Sequence, residues 1–361
     1  VGDGASDLMG QLVSNGQVFL INPNGIVFGQ DMTIDTAGFV ASTLDLADED
    51  FLTGNYVFED GGDAGRIVNE GYLTTRGGNV FFVASDIENS GIVHSEDGSL
   101  VLAAGERVRI RSLDTPDIEF EVAAPDDEIL NLGADLADRG AVKAFAGTLT
   151  HSGEVRADSV ALADDGAIVL YAEDALTLEA GSEVVASGAG GGDVLVQSGG
   201  GTVLASGRVE ADGTAGTGGR IRMLGDRVGV LDGARVSADG ATGGGEILVG
   251  GNLKGGGPEP NADRTVIAAG ATVTASATGD GDGGRVISFG TELLRSEGIL
   301  AARGGPDGGD GGFVETSSAT GLDVRATPDI GAPAGAAGTW LIAPGGINIF
   351  ETAGNQATGD D

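Results

Sequence analysis

Three carboxylate pairs, Asp126-Asp127, Asp164-Asp165 and Asp360-Asp361, are the residues in this sequence whose types and spacing come nearest to a catalytic arrangement. Paired carboxyl groups on adjacent turns can share the acid and base work of cleaving a polysaccharide. Each pair, however, falls in a stretch that reads as a turn, where acidic residues are usually solvated. No motif of a pectin-type lyase or polygalacturonase accompanies them. The two histidines, His94 and His151, each follow a run of strand type and stand in no metal-ligand spacing, so both read as surface or turn residues. With no Cys in the chain there is no thiol nucleophile, thiolate metal site or disulfide, and neither His has a Gly-x-Ser-x-Gly elbow near it. Calcium is a further possibility, because Gly279-Asp280-Gly281-Asp282-Gly283-Gly284 and Asp307-Gly308-Gly309-Asp310-Gly311-Gly312 set carboxylates beside turn carbonyls. These turns lack the nonapeptide period of calcium-binding rolls, and no cofactor is expected otherwise. No Gly run is followed by a helix, which removes a dinucleotide or phosphate-loop reading.

The elements that would have to position such residues are unusual in composition. Of 361 residues, 68 are Gly and only 12 are Phe, with 3 Tyr and 1 Trp, yet 40% are hydrophobic. Small and β-branched residues therefore supply the apolar content, which suits stacked short strands better than one thick core. Net charge is −36, from 55 acidic against 19 basic residues, of which only Lys143 and Lys254 are lysines. A field of that sign repels phosphate backbones and anionic bilayers, so nucleic acid is not an expected partner. No run of about 18 apolar residues exists, and no transmembrane segment is expected. Val1 opens neither a basic nor an apolar leader, and the beginning reads as truncated or processed.

Repetition carries the fold. A Gly-Gly pair, one further residue and a short apolar strand recur at Gly77-Gly78-Asn79-Val80, Gly191-Gly192-Asp193-Val194, Gly218-Gly219-Arg220-Ile221, Gly244-Gly245-Glu246-Ile247, Gly283-Gly284-Arg285-Val286 and Gly311-Gly312-Phe313-Val314. Most later intervals are about 26 to 28 residues, the scale of one solenoid coil, with one of about 39 where a loop around Gly255 to Pro260 intervenes. Between the pairs lie alternating strands such as Ala234-Arg235-Val236-Ser237-Ala238, closed by Asp-Gly. Alternation at period two marks a strand with one buried face. The closing glycines suit turns that need positive φ. One coil cannot bury its own inner face, so coils must stack. From Asp114 to Arg139 the rhythm breaks. This stretch reads as an excursion made of a hairpin around Ile118 to Val122 and one short helix over Ile129 to Ala137.

At residues 15 to 29 the chain reads NGQVFLINPNGIVFG. Asn22-Pro23-Asn24-Gly25 is a sound β-turn, with Pro at its second position and Asn and Gly following. In its apolar setting it resembles the Asn-Pro-Asn motif of the two-partner secretion exoproteins, the filamentous haemagglutinin type of large bacterial adhesin. LVLAAGERVRI, EILNLGADLA, the Gly-Gly coils and GTWLIAPGGINI look like the same family, so the resemblance spans nearly the whole chain. It implies an all-β, right-handed, single-stranded parallel β-helix of the pectin-lyase-like kind with a small extra-helical excursion. It also implies general secretory export and then passage through a dedicated outer-membrane partner related to Omp85. The receptor or glycan bound at a host or neighbouring cell is left open. The chain departs from the family in starting only about 20 residues before the motif, which suggests a fragment of a larger exoprotein.

The expectation is thus a secreted, non-enzymatic adhesin at the surface of a Gram-negative bacterium. Residues 1–110 would be the later part of the secretion domain, 111–140 the excursion and 141–361 continuing Gly-rich coils. Asn22, Pro23, Asn24 and Gly25 are the secretion-motif residues. Two alternatives stay open: a polysaccharide-active β-helix enzyme, and the stalk of a contact-dependent toxin.

Overall fold

Because the inward residues are small or β-branched, the chain can only bury them by laying each strand on the same strand of the coil before, and it does so throughout. The computed structural model describes residues 4–62, 64–115, 118–121, 127–138, 140–157 and 166–345. Strands pair in parallel into a 22-stranded sheet, which wraps two faces of the stack, and an 11-stranded sheet, which forms the third. The long strands Ala141–His151 and Ala167–Leu178 run round the corner between the first two faces. A register shift between Ala146 and Thr148 marks the bend. The molecule is a parallel β-helix.

The Gly-Gly repeat coincides with the coil. Val194 pairs with Ile221, Ile221 with Ile247, Ile247 with Val286, Val286 with Val314 and Val314 with Trp340, each in register. The reason for glycine is different from the one expected. Among the described residues positive φ falls at other glycines and at Lys254, and of the paired glycines only at Gly77. A Cβ on the second glycine of a pair would collide with a carbonyl of the coil before: Gly219 with that of Gly192, Gly245 with that of Gly219, Gly284 with that of Gly245, Gly312 with that of Gly284. Close approach of successive backbones selects glycine in this column.

Inside, rings pack on one another in the front coils. Phe28 stacks on Phe82 with centroids 5.8 Å apart and meets Phe39 edge-on at 5.9 Å. Farther along, Val, Ile, Leu and Ala fill the narrower interior in one continuous cluster. Outside the stack a three-stranded antiparallel sheet, Tyr56–Glu59, Arg107–Ile110 and Ile118–Glu121, covers the front coils. Phe58, Val108 and Ile110 there pack on Phe81 and Val101. The short helix Asp48–Thr53 leads into this sheet.

The expected hairpin of the excursion is present, but the expected helix over Ile129 to Ala137 is wrong. These residues form two coil strands, Glu128–Asn131 parallel to Asp86–Asn89 and Ala134–Ala137 parallel to Ile92–Ser95. Inward Ile129, Asn131, Asp135 and Ala137 alternate with outward residues. Period two, with the bend at Gly133, outweighed a composition that also suits a helix. The loop from 250 to 261 is the second cover. Glu315 accepts the Lys254 N–H at 2.8 Å, and Arg222 bridges Asp193 (2.9 Å) and Glu259 (3.3 Å), which pins the loop against the Phe289 ring.

Many turn acids have a structural use. Asp212 Oδ1 accepts the Asp239 N–H (2.7 Å) and Asp239 Oδ1 the Ser276 N–H (2.6 Å), while Ser276 Oγ accepts the Arg303 N–H (3.1 Å). Asp282 Oδ1 takes the Asp310 N–H and Asp310 Oδ1 the Ala336 N–H, both at 2.7 Å. Asn79 and Ser99 do the same in the front coils for Ser99 and Ala141. In each case the acceptor lies on the earlier coil.

Candidate functional site: the Asn22–Gly25 corner

Strand Gln17–Ile21 ends the first face and strand Ile26–Phe28 begins the second, so the four residues between them are a corner of the stack. The Gly25 N–H donates to the Asn22 carbonyl at 3.1 Å, closing the turn. Asn22 is buried, with 2% of its surface exposed, and its side chain works in both directions. Its Nδ2 donates to the Gly4 carbonyl (3.1 Å) and Ser6 Oγ (2.8 Å) of the coil before, and its Oδ1 accepts the Asn24 N–H (3.1 Å). The coil after also grips the corner, since Gly65 N–H donates to the Pro23 carbonyl (2.6 Å) and Ile26 N–H to the Arg66 carbonyl (3.1 Å). Pro23 and Asn24 remain exposed. The corner is therefore a rigid two-residue knuckle held from beneath by a buried amide.

Gly25 has φ +113 and Gly65 passes close against the knuckle. A Cβ at Gly65 would lie 2.6 Å from the Asn24 carbonyl carbon and from the Gly25 nitrogen. At Gly25 it would have ordinary room, with Arg66 O at 3.4 Å, but would sit in a strained conformation. Gly25→Ala is expected to cost about 1–2 kcal/mol. Gly65→Ala, which must move backbone, is expected to cost more and to weaken the Asn22 contacts. Urea titration with fluorescence of the front coils ranks the two, and equal costs would show that the close approach relaxes without penalty.

The other sequence candidates are not brought together. Asp126, Asp164, Asp165, Asp360 and Asp361 lie outside the described residues, and Asp127 is buried with its carbonyl accepting the Gly147 and Thr148 N–H groups. His94 faces outward and reaches Asp138 at 3.1 Å. His151, read as a surface residue, is instead buried inside the stack. Burial lowers its pKa against the pull of the Glu183 carbonyl. Asp280, Asp282, Asp307 and Asp310 are exposed, and among the described residues no group of three or more His, Asp or Glu is arranged to hold a metal ion.

Sequence reasoning missed a polar column. Asn69, Asn89, Asn131 and His151 stack in register on the inner side of the second face. Asn69 Nδ2 donates to Asn89 Oδ1 (2.8 Å) and Asn89 Nδ2 to Asn131 Oδ1 (3.2 Å). Its signal was present as Asn-Glu-Gly, Asn-Ser-Gly, Asn-Leu-Gly and His-Ser-Gly at residues 69–71, 89–91, 131–133 and 151–153.

With a parallel β-helix and a locked Asn-Pro-Asn-Gly corner in place, comparison with known proteins is specific. A family model described as the TPS secretion domain matches residues 1–181, and the chain belongs to this family, the two-partner secretion exoproteins. The matched stretch runs past the boundary drawn at residue 110. The crystal structure of the HMW1 secretion domain from Haemophilus influenzae superposes with a TM-score of 0.69 at 32% identity, covering 94% of this chain and 83% of that one. A heme/hemopexin-binding protein of Haemophilus influenzae is 46% identical over 46 residues, 13% of this chain and 5% of that protein. The chain thus aligns with about a twentieth of the length of that relative. Members of the family are secreted and have an outer-membrane transporter as partner. Among the described residues no helix is long and apolar enough to cross a membrane.

Proposed function

We propose that this chain carries a bacterial adhesin out through an Omp85-related outer-membrane transporter, with the Asn22–Gly25 corner as the element on which export depends. The observation that carries this reading is the corner itself: two exposed residues, Pro23 and Asn24, on a turn over-determined by bonds to the coils on both sides. Transit takes place in an extended state, and the coils close outside the cell, at the surface of a Gram-negative bacterium. The long stack then acts as a binding surface and not as an enzyme. Its turn acids support this, since those with the clearest geometry accept backbone N–H groups of the next coil and do not converge on one point.

The test is secretion of the full exoprotein with and without its outer-membrane partner. The expected result is release into the medium only with the partner, and at least about a tenfold drop for the double change Pro23→Ala, Asn24→Ala. Release without the partner would remove the export reading. Unchanged release of the double variant would leave the exposed residues without a role.

A further inference from the structure

Asn69, Asn89, Asn131 and His151 occupy one inward column, bounded by Phe28 on one side and Leu178 on the other. Where the column passes Asp135 the interior opens into a cavity of about 10 Å³, lined among others by Leu102, Asn131, Asp135, Leu149, His151 and Leu170. That is room for roughly one water.

Asp135, on strand Ala134–Ala137, has 1% of its surface exposed. Its oxygens accept from Asn89 Nδ2 (3.0 Å) and Asn131 Nδ2 (2.7 Å), both uncharged donors. The strands on either side set Val93 and Val155 against it. His151, from strand Ala141–His151, is the one other titratable group among the described residues lining this space. Its Nδ1 lies 3.2 Å from Asn131 Nδ2 and its Nε2 3.2 Å from the Glu183 carbonyl, and burial lowers its pKa. His94 and Asp138 pair with each other on the outer surface. A buried carboxylate with no cation against it is expensive. Burial pushes the Asp135 carboxyl up to about 7, against the Asn89 hydrogen bond, which pulls it down.

We propose that Asp135 and the amide ladder around it form a proton-gated weak point in the stack. With a proton the coils between Asn89 and His151 close; without it they close late and reopen readily. The use of such a brake to a chain that travels extended rests on the export reading above, whereas the brake itself does not.

The sign follows from the shifts. The Asp135 contribution is fully present below the ordinary carboxylate range and is lost as pH rises through about 7. His151 acts oppositely: its contribution is present above its ordinary 6.5 and is lost as pH falls through its lowered value. The two mute each other in the wild-type profile, so the difference between wild type and a charge-free variant is the informative quantity. Both variants keep His151, so its own titration is present on both sides of that comparison.

The experiment is urea unfolding of the full chain, wild type against Asp135→Asn and Asp135→Ser, at pH 5 and pH 7.5. Relative to wild type, both variants should gain roughly 50- to 100-fold in the folding equilibrium constant between the two pH values, whatever constant offset each carries. An offset that stays flat with pH, for either variant, overturns the proposal. Failure of both variants to fold at pH 7.5 overturns it equally, because a brake predicts tighter closure once the charge is gone.

Discussion

Asn22→Ala is expected to reduce export through the outer-membrane partner by more than tenfold while leaving the later coils folded. The alanine removes two donors to the coil before, at Gly4 and Ser6, and the acceptor that orients the Asn24 N–H. Losing buried hydrogen bonds of this kind costs about 1–3 kcal/mol locally. In a stack whose coils contact only their neighbours, that cost stays near the corner. Two readings measured together check it: protein in the medium, and hydrogen exchange of the Gly25 amide, which closes the turn. Faster exchange with normal export would mean that the transporter does not need the turn's shape. Blocked export by Asn22→Ala combined with normal export of the Pro23, Asn24 double variant would place recognition in the backbone shape of the knuckle.

Phe82→Ala should be the most damaging single truncation in the front coils, at about 3–5 kcal/mol. Phe82 is fully buried between the strand columns and stacks on Phe28, which in turn meets Phe39. The interior around it is lined by residues from several coils, so the hole cannot collapse without moving paired strands. Loss should appear as early unfolding of the front coils while those beyond Val194 persist, read as two urea transitions where the wild type has one. A cost below about 1 kcal/mol would mean that the aromatic stack contributes little beyond filling space.

Much of the architecture was legible because it is periodic. Each Gly-Gly pair announces a coil, and the residue two places past the pair is the one that stacks in register, as Val194, Ile221 and Ile247 do. The corner was legible as a turn, since Pro at its second position with Asn and Gly following suits one, and the Gly25 N–H closes it on the Asn22 carbonyl. What escaped was non-periodic or remote. Strand Tyr56–Glu59 becomes a strand through pairing with Arg107–Ile110, and no local pattern encodes a partner so far along the chain. Residues 129–137 hold Ile, Leu and Ala in numbers that also suit a helix, and parallel pairing on both sides decided the outcome. His151 read as a surface residue because polar side chains usually are. Asn131 of the amide column and the Glu183 carbonyl make its inward position tolerable.

The turn acceptors give the molecule a direction of growth. Asp212 serves Asp239, Asp239 serves Ser276, Asp282 serves Asp310 and Asp310 serves Ala336, always from a coil nearer the amino terminus to one farther on. A coil that has closed displays waiting acceptors to whatever segment emerges next, while an unattached later coil displays none of these to the segment before it. Such a solenoid is templated from its leading end like a zipper with teeth on one side. A chain that appears outside a membrane leading end first can make each closed coil the seed, and the ratchet, for the one still to come.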